Sequence, residues 1–286
     1  MHKLHVELRL DIDVQEVVAI AELAAQAILR VYHAKNPEVE IKADQSPLTR
    51  ADREANSIIC SGLTQLAPHI PIVSEENQKV EYSTRKNYQY CWCVDPLDGT
   101  KEFLKRNGQF TVNIALLQGA KPVLGVVHVP VQGKVYWAVA GKGAWARESP
   151  ASPPRQLHCA TFRGTDPGLV IVGSASHASQ ETAEFVGEFR APQFRAVGSS
   201  LKLLMVAEGA AHMYPRLAPT CEWDTAAAHA IVEEAGGRVL QAGRCDSSGN
   251  ALEGWRGALE QAIPLHYNKP EALNPFFVVY GKELPS

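Results

Sequence analysis

Four segments of this chain carry acids where acids do chemistry: Leu48-Thr-Arg-Ala-Asp52, Val73-Ser-Glu-Glu76, Val94-Asp-Pro-Leu-Asp-Gly-Thr-Lys-Glu-Phe103 and Trp223-Asp-Thr-Ala-Ala227. Each acid reads as the end of a strand or the start of a helix, the places where side chains reach out of an α/β scaffold. The third segment is the most informative. An apolar run, Tyr90 to Val94, leads into Asp95. Pro96 stiffens the turn and removes an N–H. Asp98 returns three residues later, so both carboxylates can face one point. Gly99 lets a backbone approach a ligand closely. Thr100 adds a hydroxyl, and a short helix over Lys101 to Lys105 would turn its N–H groups toward an anion. Two hard oxygen ligands beside anion-binding amides suit Mg²⁺ and a phosphate together.

Taken singly, each segment also has a plainer reading. Asp98-Gly99 is a common turn pair, Asp52 can be the third residue of a helix, Asp224 an N-cap, and Glu75-Glu76 a solvated charge pair. Two known patterns fail. Phosphatases with an aspartyl nucleophile carry D-x-D-G-T, and here Pro96 stands at the nucleophile's position. An EF-hand loop needs acids at alternate positions before its Gly and a Glu six residues after it, and both are absent.

The elements that must position these acids follow from periodicity. Asp13-Val-Gln-Glu16 reads as a capping box opening a helix through Tyr32, and Thr49-Arg-Ala-Asp52 opens a second that Pro68 ends. Pro71 to Ser74, Tyr90 to Val94, Phe110 to Leu117, Val123 to Val129 and Val135 to Val139 read as strands. Ser149 to Pro154 is Pro/Ser-rich and predicts a lobe boundary, with an N-terminal α+β lobe over 1–148 and a C-terminal α/β lobe over 149–286. Beyond it strands (Leu169 to Val172, Ala211 to Tyr214, Arg238 to Gln241, Phe276 to Tyr280) alternate with helices (Ser179 to Arg190, Ser200 to Glu208, Asp224 to Ala235).

Composition bounds the function. The 286 residues carry 28 Lys plus Arg against 31 Asp plus Glu, a net charge of −3, which argues against a nucleic-acid or anionic-membrane surface. The N-terminus lacks an apolar signal region, and Val14 to Val31 is interrupted by polar residues, so no span is expected. The six cysteines form no C-x-x-C pair and read as reduced thiols; Cys91 and Cys93 would share one strand face. The expectation is a cytoplasmic protein, with peripheral membrane association left open, that is a monomer or a homodimer.

Val73-Ser-Glu-Glu76, Asp95-Pro-Leu-Asp-Gly-Thr100 and Trp223-Asp-Thr-Ala-Ala227, in that order, resemble the Mg²⁺-dependent, lithium-sensitive inositol monophosphatase superfamily. The resemblance runs from about Leu23 to the C-terminus. Lys101-Glu-Phe, Gly198-Ser-Ser-Leu-Lys202 and Tyr214-Pro-Arg216 resemble, within it, the CysQ-type 3′(2′),5′-bisphosphate nucleotidases. The resemblance implies a layered αβαβα fold with the site between the lobes. It implies Glu75, Asp95 and the Leu97 carbonyl around one Mg²⁺, and Asp95, Asp98 and Asp224 around a second. A third, weaker ion would sit near Glu75. Asp52 and Thr100 would orient and deprotonate the attacking water, and the amides of Gly99 and Thr100 would bind phosphate. His177, Ser199, Lys202 and Arg216 would contact a nucleotide, with Lys202 or Arg216 near a retained 5′-phosphate. Ala175 stands where the bacterial enzymes usually carry Arg, which removes one phosphate contact.

Physics asks for the cations. Two carboxylates about 4 Å apart repel by roughly 4 kcal/mol at an effective dielectric near 20. Several acids in one pocket stay ionised only with positive charge among them. The implied reaction is in-line attack of metal-activated water on the 3′-phosphate of adenosine 3′,5′-bisphosphate (PAP), or of its sulfated relative PAPS, in sulfur metabolism. Two alternatives stand beside it. The nearest is a phosphatase of the same superfamily acting on inositol phosphates or a sugar bisphosphate; the segment 198–216 discriminates, because a nucleotide with a second phosphate needs a cation there. A non-catalytic sensor of a phosphorylated metabolite would not need Asp52 and Thr100.

Overall fold

The computed structural model describes residues 12–34, 39–41, 47–174, 179–242 and 263–284. The expected contacts of His177, the substitution at Ala175 and the thiol of Cys245 lie outside them.

Helical spacing of apolar residues produces α1 (Val14–His33) and α2 (Arg50–Leu66), which bury those faces together. Asp13 caps α1 by accepting from the Gln15 N–H. At α2 the Thr49 side chain caps the first turn and Asp52 accepts back from the Thr49 N–H, a reciprocal capping box. A short pair, β1 (Val39–Ile41) with β2 (Pro47–Thr49), leads into α2.

α1 and α2 cover one face of a seven-stranded sheet. Its strands follow chain order: β3 (Ile72–Ser74), β4 (Tyr90–Asp98), β5 (Thr111–Gln118), β6 (Lys121–Val129), β7 (Lys134–Val139), β8 (Ala144–Arg147) and β9 (Arg155–Gln156). All pairs are antiparallel except β3 with β4. Two short helices, α3 (Tyr82–Arg85) and α4 (Thr100–Leu104), flank β4. The sheet continues past the Pro/Ser-rich stretch, since Gln156 pairs with Trp145. Alternation along β4 divides two cores: Trp92 and Val94 face α1 and α2, whereas Cys91 and Cys93 face the other way, on one side as their spacing requires.

That other side is covered by α6 (Leu201–Ala207) and α7 (Ala226–Glu234). α7 lies so close that a Cβ on Gly125 of β6 would stand 2.1 Å from the Ala227 carbonyl oxygen. The small side chains of Ala226, Ala227 and Ala228 permit that approach. Beyond α6 and α7 comes a second sheet, ordered β12 (Gln193–Val197), β11 (Val170–Ser174), β13 (Met213–Arg216), β15 (Phe277–Tyr280), β14 (Arg238–Gln241). α5 (Gln180–Gly187) closes its outer face through Phe185 and Phe189. β10 (Thr161–Phe162) and β16 (Lys282–Glu283) pair alongside. The layers run αβαβα, the expected architecture.

Candidate active site

Asp95 and Asp98 are three apart on β4, a spacing that in a regular strand puts side chains on opposite faces. A bulge removes the conflict. Asp95 stands opposite Asn113 and Asp98 opposite Thr111, so Pro96 and Leu97 face the single residue Val112. The extra residue restores the face, and Pro96, which has no N–H to give a ladder, sits in the bulge. Glu75 enters from the neighbouring strand end, where its N–H donates to the Val94 carbonyl. Asp224 arrives just ahead of α7, brought to the sheet by the close packing at Gly125. One carboxylate oxygen each from Asp95, Asp98 and Asp224 lies within 4.8 Å of the others.

Backbone N–H groups aim all three. Asp95 accepts from Leu97 at 3.0 Å, Asp98 from Ser200 at 2.5 Å and Asp224 from Cys221 at 2.8 Å. Beneath Asp98, the buried Ser200 hydroxyl meets Thr111 Oγ1 at 2.8 Å and Asn113 Oδ1 at 3.0 Å. The acids then suffer each other. Burial, then the charges of Glu75, Asp98 and Asp224, pushes Asp95 well above the ordinary carboxylate range. Burial raises Asp98 to about 6 against the opposing pull of Lys202 and the Ser200 N–H. Asp224 rises to about 7, through burial and then Asp98. Converging hard oxygens that repel one another, with the Leu97 carbonyl lining the same cleft, fit a small divalent cation.

Asp52 is the third residue of α2 and also reaches Thr100. Its Oδ2 accepts from the Thr49 N–H at 2.7 Å and the Thr49 hydroxyl at 2.5 Å, while its Oδ1 lies 3.3 Å from Thr100 Oγ1. The helix cap therefore fixes which oxygen reaches the site. Burial raises its pKa against the hydrogen bonds from Thr49. Gly99 adopts φ +97°, and a Cβ there would stand 3.0 Å from the Gln109 carbonyl oxygen, so the turn into α4 needs glycine twice over. α4 starts at Thr100, one residue before the expected Lys101.

Glu75, Asp95, Asp98, Gly99, Thr100 and Asp224 line an open cleft of about 380 Å³. Ser199, Lys202, Tyr214 and Arg216 line it too. Lys202 is no solvated helix residue. It is 5% exposed, and its Nζ donates to the Ser199 carbonyl at 2.6 Å and to that of Val197 at 3.3 Å. Burial lowers its pKa to about 8 although Asp98 opposes the shift. Arg216 donates from Nη2 to the Pro219 carbonyl, and its buried Nε has no hydrogen-bond partner among the described residues. Sequence reasoning missed Thr111, Asn113 and Ser200 beneath Asp98. The signal was there in Asn113, a polar residue inside the otherwise apolar run Val112 to Leu117.

Residues 12–274 match the inositol monophosphatase family. This chain belongs to the inositol monophosphatase family. The 3′(2′),5′-bisphosphate nucleotidase CysQ of Escherichia coli K12 is 42% identical over 266 residues, which span 92% of this chain and 98% of that protein. CysQ of Salmonella typhimurium LT2 is 46% identical over 226 residues, 79% of this chain and 89% of that one. Among solved structures, CysQ from Bacteroides thetaiotaomicron superposes with a TM-score of 0.76 at 37% identity, covering 94% of this chain and 96% of that chain. SuhB from Bartonella henselae, at 24% identity, 94% and 93% coverage and a TM-score of 0.69, shares the fold. The inositol monophosphatase fold thus accounts for the layers, and the bulge in β4 and the approach of α7 account for where its acids meet. Among the described residues, no helix is long and apolar enough to cross a membrane.

Proposed function

We propose that the chain is a Mg²⁺-dependent 3′(2′),5′-bisphosphate nucleotidase that hydrolyses PAP to AMP and phosphate. One observation carries the reading: three buried or half-buried aspartates converge within 4.8 Å in a cleft that Lys202 and Arg216 also line. A substrate with a reacting phosphate for the acids and their cations, and a second phosphate for Lys202 or Arg216, matches that lining. The relatives named as nucleotidases support the choice of substrate.

In this reading Glu75, Asp95, Asp98, Asp224 and the Leu97 carbonyl hold two Mg²⁺, with a third ion near Glu75. Bound Mg²⁺ supplies positive charge for the transferring phosphoryl group and lowers the pKa of water. Thr100 donates its hydroxyl hydrogen toward Asp52 Oδ1 and accepts from the attacking water, so the water's proton leaves through that hydroxyl to Asp52. The raised pKa of Asp52 brings it nearer the working pH of a base. The water oxygen bonds to phosphorus as the P–O3′ bond breaks, the amides of Gly99 and Thr100 receive the phosphate, and the leaving 3′-oxygen takes a proton from solvent to become the hydroxyl of AMP. Arg216, with its unpartnered Nε, anchors the retained 5′-phosphate, while Lys202 holds the Ser199 turn and adds charge beside it. The two halves of the chain, 1–148 and 149–286, act as the walls of this cleft, and the protein works in the cytoplasm.

The test is a turnover panel of PAP, PAPS, inositol 1-phosphate and fructose 1,6-bisphosphate with Mg²⁺ and with EDTA. PAP should give the highest kcat/KM, and EDTA should abolish it. A preference for inositol 1-phosphate or the sugar bisphosphate would replace this reading with the generic phosphatase. No turnover of any of them would leave a phosphometabolite sensor.

A further inference from the structure

Asp224 must meet Asp95 and Asp98 although it sits 126 positions after Asp98. The close packing of α7 sets its height above the sheet, but the turn 221–224 needs a second fixed point. Glu222 supplies it. Its carboxylate is 4% exposed and accepts from the N–H groups of Asn268 at 2.8 Å and Lys269 at 2.9 Å, and from Lys269 Nζ. Its own N–H donates to the Ala272 carbonyl. A buried carboxylate with this many N–H donors is held in one place.

The segment 268–272 that holds Glu222 is in turn held from the first half of the chain. Arg85, at the end of α3, donates from Nη1 to Asn268 Oδ1 at 2.8 Å and from Nη2 to the carbonyls of Lys269 and Pro270. Asn268 Nδ2 donates back to the Arg85 carbonyl at 2.9 Å. Arg85 Nε is spent on the Val80 carbonyl. β4, which ends in Asp95 and Asp98, begins five residues after Arg85. A continuous polar chain therefore runs from the root of β4 through Arg85, residues 268–269 and Glu222 to the Asp224 turn. Arg85, Asn268, Lys269 and Glu222 are not among the residues that line the cleft.

We infer that Arg85 and Glu222 are positioning residues: the Arg85–Asn268–Glu222 clamp sets the separation of Asp224 from Asp95 and Asp98, and thereby the affinity for Mg²⁺. The inference rests on the metal reading proposed above. Residues that orient metal ligands without touching the ion typically cost about 10- to 100-fold in metal affinity when removed. A slack clamp leaves the ligands present and only their spacing loose. Excess metal therefore restores the rate. Because Mg²⁺ also stabilises any folded variant by mass action, the dissociation constant of the folded protein, read beside a control of lowered stability, separates a slack clamp from general destabilisation.

The test compares the full-length wild type with Arg85→Met, Asn268→Gly and Lys134→Met. Asn268→Gly removes both side-chain bonds to Arg85 while tolerating the positive φ of 54° at that position. Lys134→Met breaks a distant, largely buried ion pair with Glu208 and serves as a control for lost stability. Mg²⁺ dissociation constants come from isothermal titration, and the Mg²⁺ dependence of PAP turnover is measured beside them. The clamp predicts a rise of about tenfold or more in the Mg²⁺ dissociation constant of Arg85→Met and Asn268→Gly. It also predicts kcat at saturating Mg²⁺ within about twofold of wild type, and an unchanged dissociation constant in Lys134→Met despite its lower Tm. Should Arg85→Met fail to fold, Asn268→Gly decides. Wild-type Mg²⁺ affinity in the folded clamp variants overturns the inference and leaves the proposed function standing. A wild type that binds no Mg²⁺ overturns both.

Discussion

At the scale of single residues, the site is a set of acids that destabilise one another until charge arrives. The folded state raises Asp95, Asp98 and Asp224 above their unfolded values. A native state that holds protons more tightly than the unfolded chain is favoured at low pH, and the advantage is lost as pH rises through the folded values. In EDTA this contribution should be full below about pH 4, the ordinary carboxylate range, and should fade by about pH 7. The Tm gained on adding Mg²⁺ should grow over the same window. Asp95→Asn removes the acid with the most charged neighbours, so in EDTA it should melt at or above the wild-type temperature at pH 7. Its PAP turnover should fall by more than the roughly 10- to 100-fold expected of residues that only orient ligands. Wild-type rates in that variant would remove Asp95 from the metal site. Asp52 shows how far residue-level reading reaches: its place as the third residue of a helix was legible and holds through one oxygen, while the other lies 3.3 Å from the Thr100 hydroxyl, the pairing that the proposed water-activating role needs.

At the scale of elements, the seven-stranded sheet was largely legible because its strands are apolar runs between glycines and prolines. β4 was not seen to pass through Pro96, since only the partner strand reveals that the proline occupies a bulge. β12 escaped because four of its five residues are exposed, which leaves no apolar signal along an edge strand. The approach of α7 to β6 was invisible for a different reason: a glycine in a strand does not announce which backbone it admits. That contact makes a sharp test. Gly125→Ala puts a methyl group into the Ala227 carbonyl and must lift α7 or bend β6. Overpacking of this kind costs about 1–3 kcal/mol. The variant should melt lower, and its Mg²⁺ requirement for PAP turnover should rise because Asp224 moves with the helix. A lower Tm with an unchanged Mg²⁺ midpoint would separate α7 placement from the site.

At the scale of the whole molecule, specificity should depend on the two sheets acting together on one cleft. Arg216 belongs to β13 in the second sheet and the aspartates of β4 to the first. A charge-assisted contact to phosphate contributes about 1.5–3 kcal/mol, so Arg216→Ala should reduce kcat/KM for PAP by roughly 10- to 100-fold. Turnover of 3′-AMP, which has no second phosphate, should barely change. Equal losses on both substrates would assign Arg216 to the fold rather than to recognition.

The wide separation along the chain of the acids that meet here has a consequence during synthesis. A ribosome that has released residues as far as Asp98 has made two of the three converging carboxylates, but the third is still more than a hundred codons away. α6, α7 and the second sheet, which cover the opposite face of the first sheet, also come after Asp98 in the chain. The growing polypeptide is thus a phosphatase in composition without the means to hydrolyse anything. In the proposed reading, a Mg²⁺ ion would find all three of these carboxylates only once the chain has closed on itself, so activity would begin with the completed fold.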